Sequence, residues 1–243
     1  MRIARLALPV ALPRRAVRIP ILMYHRIDAL KPSLPSITRA LTVTPRDFEL
    51  EMRWLHAHGF HAVSQLQVFA ALERGTPLPA RPVMITFDDG YRDVLANAAP
   101  VLARLHMPAT AYVITSRISG PDPSFLTWKQ LTQLERDGVA VGSHTVHHLA
   151  LPTLTDTHAM HELLDSRLVL EHRLGHPVQW FAYPAGAENA HAAHLVRLAG
   201  YVLGVTTHPG ALQRAAFPLE LDRLEVLDTT GVNGVAALVR VQS

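Results

Sequence analysis

Residues 81–89, RPVMITFDD, constrain the fold more than any other stretch. Val83, Met84, Ile85 and Phe87 form an apolar run that does not alternate with polar residues. A strand with one face in water alternates, whereas a continuous run reads as a parallel strand covered on both faces. Parallel strands need crossover helices, and the chain alternates accordingly. Strands are expected at 19–27, 61–64, 81–89, 109–115, 139–145, 178–184 and 201–207, with a last candidate at 221–227. Helices are expected between them at 44–59, 65–74, 93–105, 128–136, 156–174 and 190–199. Thr44 and Pro45 make a cap and a first helical position, Gly59 and Gly138 are stops, and Asp156 is the expected cap of the longest helix. Seven or so βα units describe an α/β fold, either a barrel or a doubly wound sheet.

The 243 residues are 49% apolar, enough for one large core, and no linker or repeat divides them. The expected organisation is an N-terminal extension over 1–18 and a single domain over 19–243. There is no Cys, so disulfides and thiolate metal sites are excluded. The net charge of +3 is spread over scattered arginines, with no basic stripe or aromatic platform, which argues against nucleic acid as a partner. No apolar run approaches the roughly 20 residues of a membrane span. The first residues, MRIARLALPVALPRR, imitate a leader, but Arg5 and Pro9 interrupt its apolar part and no small-x-small site follows clearly. That favours a cytoplasmic over an exported chain. No G-x-G-x-x-G or G-x-x-x-x-G-K signals a nucleotide.

In βα folds the C-terminal ends of strands carry the chemistry. Tyr24-His25 ends the first strand, Asp88-Asp89-Gly90 the third, and SHTVHH the fifth, with His144, His147 and His148. YPAG follows the sixth, with Tyr183 and Ala185, and TTHPG the seventh, with His208. Alone, Asp-Gly is a turn signal, and a His pair is unremarkable in a chain with 15 His. Together they place two acids and several imidazoles at one mouth. One carboxylate and two imidazoles make a hydrolytic metal site with positions left for water. The second acid can stay beside it as a base, because a cation offsets the repulsion between the two. Gly90 gives the sharp turn that lets both side chains reach the mouth.

TFDDG (86–90), SHTVHH (143–148) and FAYPAG (181–186) together resemble the polysaccharide deacetylases, the NodB-like carbohydrate esterases. ILMYHRI (21–27) resembles the branch that deacetylates poly-N-acetylglucosamine. The resemblance implies a distorted (β/α)7 barrel that hydrolyses N-acetyl groups of amino sugars in a surface polysaccharide or glycolipid precursor. By position it implies Asp88 as base, with Asp89, His144 and His148 as ligands of a divalent metal. Zn is favoured, and Ni, Co or Fe fit the same geometry. His147 falls between the ligands as a bystander. His25 inherits the role of proton donor, with His208 as the weaker alternative. Ala185 stands where the family has a Tyr whose N–H serves the oxyanion hole. Ala182 stands where the family has an Arg that orients the base, and Arg223 in LDRLEV is the expected substitute. Two rival readings are an amidase on small amides and a non-catalytic carbohydrate-binding domain. A binder has no use for a water-activating set.

Overall fold

The structure, a computed structural model, describes residues 15–240. The leader-like stretch through residue 14 lies outside the described residues. Eight strands matter here: β1 (Ile21–Tyr24), β2 (His61–Ala62), β3 (Pro82–Phe87), β4 (Ala109–Val113), β5 (Val139–Ser143), β6 (Trp180–Ala182), β7 (Leu203–Pro209) and β8 (Leu221–Glu225). All but β2 close into a parallel ring in the order β1-β8-β7-β6-β5-β4-β3, with β1 returning to β3. Ile21 lies opposite Met84 and Tyr24 opposite Phe87 at that closure. The short β2 pairs only with the start of β3, His61 opposite Pro82. The fold is thus a distorted (β/α)7 barrel.

The unalternating run in β3 has a simple cause. Val83, Ile85 and Phe87 pack outward among the helices, while Met84 packs inward with Ile21, Tyr112, Leu203, Val205 and Leu221. Both faces are dry, so both are apolar. Because side chains alternate, Thr86 and Asp88 share the inward face of Met84. The interior turns polar only toward the C-terminal mouth.

The covering helices include Pro45–Ala57, Gln65–Arg74, Ala99–Arg104, Trp128–Arg136, Asp156–Leu174, Ala190–Leu198 and Gly231–Arg240. Thr44 caps the first as expected, accepting from the Asp47 N–H at 3.1 Å. Two expectations change. The cap of Asp156–Leu174 is Thr155, one residue earlier, and Asp156 sits in the first turn, where its charge suits the helix dipole. The helix expected over 93–105 begins as a π segment, Val94–Ala98, before Ala99–Arg104. Pro100 has no N–H for the helical ladder and its ring crowds the preceding turn, and the wider π turn sits just before it.

Gly142 of β5 lies opposite Tyr112 of β4. A Cβ there would come within 2.6 Å of the Tyr112 ring, whose hydroxyl accepts from Gln65 and which is fully buried. Gly142→Ala is expected to cost about 1–3 kcal/mol, the usual penalty for overpacking. Urea unfolding measures it, and an unchanged midpoint would show that the ring has room to move.

Candidate active site

Asp88 and Asp89 leave the end of β3 in different directions. Asp88 extends the ladder by one residue, its N–H donating to Tyr24 O at 2.9 Å. Asp89 then takes a left-handed backbone, φ 74°, and Gly90 follows at φ 86°. The turn that the sequence assigned to Gly90 alone is therefore shared by Asp89 itself. This rotation brings the second carboxylate to the mouth despite strand alternation.

Asp88 is buried and held by Arg223, which projects inward from β8. The guanidinium grips both carboxylate oxygens, Nη1 to Oδ1 at 2.7 Å and Nη2 to Oδ2 at 2.6 Å. Nη1 also donates to Thr86 Oγ1 at 3.2 Å, and Nε donates to Thr206 O at 2.7 Å. The register of β7 against β8 slips between Val205 and Pro209, and Thr206 lies in that bulge. Burial alone would raise the Asp88 carboxyl, but the charge and hydrogen bonds of Arg223 hold it well below the usual carboxylate range.

Asp89, His144 and His148 converge, one donor atom from each within 4.8 Å of the others. The imidazole Nε2 atoms of His144 and His148 stand 3.7 and 3.8 Å from Asp89 Oδ1. His144 follows β5 and its Nδ1 meets Ala182 O at 2.8 Å. A carbonyl only accepts, so Nδ1 carries the proton and the Nε2 lone pair faces the cluster. Burial lowers the pKa of His144 to about 4, so the ring is neutral at pH 7. Burial and the Asp88 charge push Asp89 up to about 7. One carboxylate, two neutral imidazoles and short separations form a donor set that fits a divalent ion.

Sequence reasoning missed the group that shapes the loop after β5. Glu162, buried on the helix Asp156–Leu174, accepts from the N–H groups of Val146 and His147 at 3.0 and 2.8 Å and meets His147 Nδ1 at 2.7 Å. His147 thus points at Glu162, away from the cluster. Within the loop the His148 N–H donates to Thr145 Oγ1 at 2.9 Å. The signal available in sequence was a carboxylate on the buried face of an amphipathic helix, which requires a partner.

His25 lies just past β1, and the expected strand 19–27 breaks there into Ile21–Tyr24 and Arg26–Ile27. Asp93 fixes the far side, accepting from Ile27 N at 2.8 Å and Arg26 Nε at 2.9 Å. The His25 Nδ1 is buried without a hydrogen-bond partner among the described residues. Its pKa is lowered by burial, against the raising effect of nearby Asp88. His208 is elsewhere. β8 lies between the strands that bear the two histidines. The bulge at the end of β7 leaves Thr207–Pro209 exposed, and His208 Nδ1 stands 3.8 Å from Glu188. Ala185 takes a left-handed backbone, φ 53°, in the turn after β6. Tyr183 packs edge-on to Phe181, its hydroxyl buried and without a partner among the described residues.

Fold and site together define a seven-stranded parallel barrel with an Asp–His–His donor set at its mouth. The chain belongs to the polysaccharide deacetylase family, whose family model matches residues 75–204. YxkH of Bacillus subtilis, named for the same family, is 31% identical over 229 residues, 94% of this chain and 78% of that one. A poly-beta-1,6-N-acetyl-D-glucosamine N-deacetylase of Staphylococcus epidermidis is 32% identical over 129 residues, 49% of this chain and 44% of its own. Among solved structures, the Streptococcus pyogenes deacetylase PplD, in complex with acetate, superposes with a TM-score of 0.85 at 29% identity, covering 93% of this chain and all of that one.

Arg223→Gln leaves Asp88 buried without its counter-charge, and the expected loss is about 3–5 kcal/mol at pH 7. The sign with pH is fixed. The wild-type Asp88 pKa is depressed, so its contribution is present above the ordinary carboxylate value and is lost as pH falls. In the variant, burial raises Asp88, which sheds its cost by protonation. The difference between the two proteins therefore shrinks toward pH 3, and a gap in urea midpoints that widens there would contradict the pair.

Proposed function

We propose that this chain is a metal-dependent hydrolase that removes N-acetyl groups from amino sugars of a surface polysaccharide or glycolipid precursor. The observation that carries this is an Asp88 gripped on both oxygens by Arg223, next in sequence to Asp89 of the Asp89–His144–His148 donor set. Those three residues would hold the ion, Zn by preference, and a bound ion would polarise the attacked carbonyl and activate water.

The rest follows from the chain's own groups. Asp88 takes the proton of the attacking water, and Arg223 orients its carboxylate and keeps it ionised. The Ala185 N–H receives the developing oxyanion, a contact worth about 3 kcal/mol in comparable holes. His25 gives its proton to the departing amine, without which the amide does not cleave. The products are acetate and a free amino sugar. His25 suits this role because two flanking anchors, β1 and the Asp93 bonds, fix its backbone. His208 sits on an exposed bulge among Glu188, Glu220 and Asp222.

Two sets of variants test the reading. Asp89→Asn, His144→Ala and His148→Ala should each lose metal by mass spectrometry, while Asp88→Asn should keep it and lose about 10²–10⁴-fold in turnover of an acetylated chito-oligomer. Stoichiometric metal in all three ligand variants would remove the ligand assignment. Near-normal turnover by Asp88→Asn would remove the base.

The proton donor is tested by pH profile. The acid form of His25 exists below its pKa, which burial lowers from 6.5. The alkaline limb of kcat/KM should therefore fall at a pH below 6.5 and vanish, with most of the activity, in His25→Ala. His208→Ala should retain both turnover and limb, and the reverse pattern would transfer the role to His208.

A further inference from the structure

The end of the barrel opposite the catalytic mouth holds a cavity of about 340 Å³. Its walls are Pro20 ahead of β1, Phe60 ahead of β2, Pro82 at the start of β3 and Val239 in the last helix, and its cations are Arg18, Arg81 and Arg240. No carboxylate is among the lining residues described. The volume is in the range of small-molecule sites.

Arg26, Arg53, Arg104, Arg167 and Arg223 each form an ion pair with a carboxylate. Arg18 and Arg81 are not among them. Arg18 is tied in place by a strand pairing, Arg18 opposite Leu212, yet its Nη2 is buried with no hydrogen-bond partner among the described residues. A guanidinium nitrogen shut off from water and left without an acceptor is costly. Arg81 donates to His58 O at 2.6 Å and lies 4.4 Å over the Phe60 ring. Arg240 lies 4.9 Å over the Trp54 ring. Carbonyls and aromatic faces orient these guanidinium groups but do not neutralise Arg18 and Arg81. Charge without a counter-ion, around walls of Pro, Phe and Val, is complementary to one kind of molecule: an anionic head on a hydrocarbon body.

We propose that this cavity is a second ligand site, separate from the catalytic mouth, that takes an amphipathic anion, a phosphate or carboxylate head with an apolar chain. The head sits against Arg18 and Arg81, and the chain lies along Phe60, Pro82 and Val239. Such a head occurs on free amphiphiles and on anionic lipids in a bilayer, and the site reads the chemistry common to both.

Decyl phosphate, used below its micelle threshold, is the probe, and calorimetry on the full chain is the readout. Inorganic phosphate and decyl maltoside isolate head and tail. Wild-type protein should bind decyl phosphate about tenfold or more tightly than either control. Arg18→Gln and Arg81→Gln should each lose about tenfold, Arg18→Lys should recover part of the loss, and Arg53→Gln on an outer helix should bind as wild type. Equal affinity in wild type, Arg18→Gln and Arg81→Gln would overturn the site, as would decyl maltoside binding as tightly as the phosphate. Circular dichroism of each variant separates a lost ligand contact from a lost fold. Flotation with phosphatidylglycerol vesicles assigns the source. Co-flotation that needs Arg18 identifies a bilayer lipid, and binding of the monomeric probe without co-flotation identifies a free amphiphile. Deacetylation and metal content are not read, so failure here leaves the catalytic proposal standing.

Discussion

The Arg223–Asp88 pair is the interaction on which the mouth of the barrel depends. Two opposite charges lie in the barrel interior, both nearly without exposure. Such a pair repays its desolvation only when geometry is excellent and the remaining donors are used. Here the fork is bidentate, and two further bonds run to Thr86 Oγ1 and Thr206 O. Thr86 belongs to β3, Thr206 to β7 and Arg223 to β8, so one side chain ties three strands together. The tie fixes where the Asp88 carboxylate points, a matter of orientation more than of net stability. It also explains the bulge in β7. A regular ladder would engage Thr206 O with a neighbouring strand, and the slip makes it available to the guanidinium.

Backbone strain gathers at the same place. Seven non-glycine residues among those described have positive φ, and Asp89, Thr145, His148 and Ala185 are four of them. Each such conformation costs on the order of 1–3 kcal/mol and persists only where surroundings over-determine it. For the loop after β5 the over-determination is visible. Glu162 holds two successive N–H groups, Thr145 Oγ1 accepts from His148 N, and Ser143 Oγ accepts from Thr145 N. Gly186 contributes from the other side, because a Cβ there would run into Thr207. The convergence of the three donor atoms is thus paid for by a shell of buried hydrogen bonds, several residues away in sequence.

That division explains what was legible in the chain. Strand β3 was legible because two dry faces leave an unalternating apolar run, and the start of the helix Pro45–Ala57 was legible because Thr44 stands before a proline at the first helical position. The convergence of Asp89, His144 and His148 was legible because acids and imidazoles stood together at the ends of expected strands. The shift of the cap from Asp156 to Thr155 was not, since either residue caps well and only the entry angle of the chain chooses. The separation of His25 from His208 was not, because it depends on β8 inserting between β1 and β7, a property of ring order and not of local sequence. Thr206 acts through one backbone carbonyl oxygen, which leaves no pattern in the sequence. Arg223 was expected from the resemblance as the substitute for the arginine that orients the base, and closure of the ring brings its guanidinium onto both oxygens of Asp88.

The two adjacent carboxylates are best understood as a pair whose environments drive them apart. Asp88 points inward to a fixed guanidinium, and its pKa falls. Asp89, rotated by a left-handed backbone, faces neutral imidazoles, and burial and the negative Asp88 push its pKa up to about 7. Two acids with the same chemistry, one residue apart, therefore differ in what each lacks. Asp88 has its cation within the protein and needs only a proton to accept. Asp89 has no arginine paired to it among the described residues, and the imidazoles of His144 and His148 stand nearest in its ion-pair geometry. A divalent ion at the donor set would supply the missing charge to Asp89 while leaving the Arg223 grip on Asp88 intact. The base and ligand roles in the proposed mechanism thus follow from which carboxylate the barrel interior already neutralises.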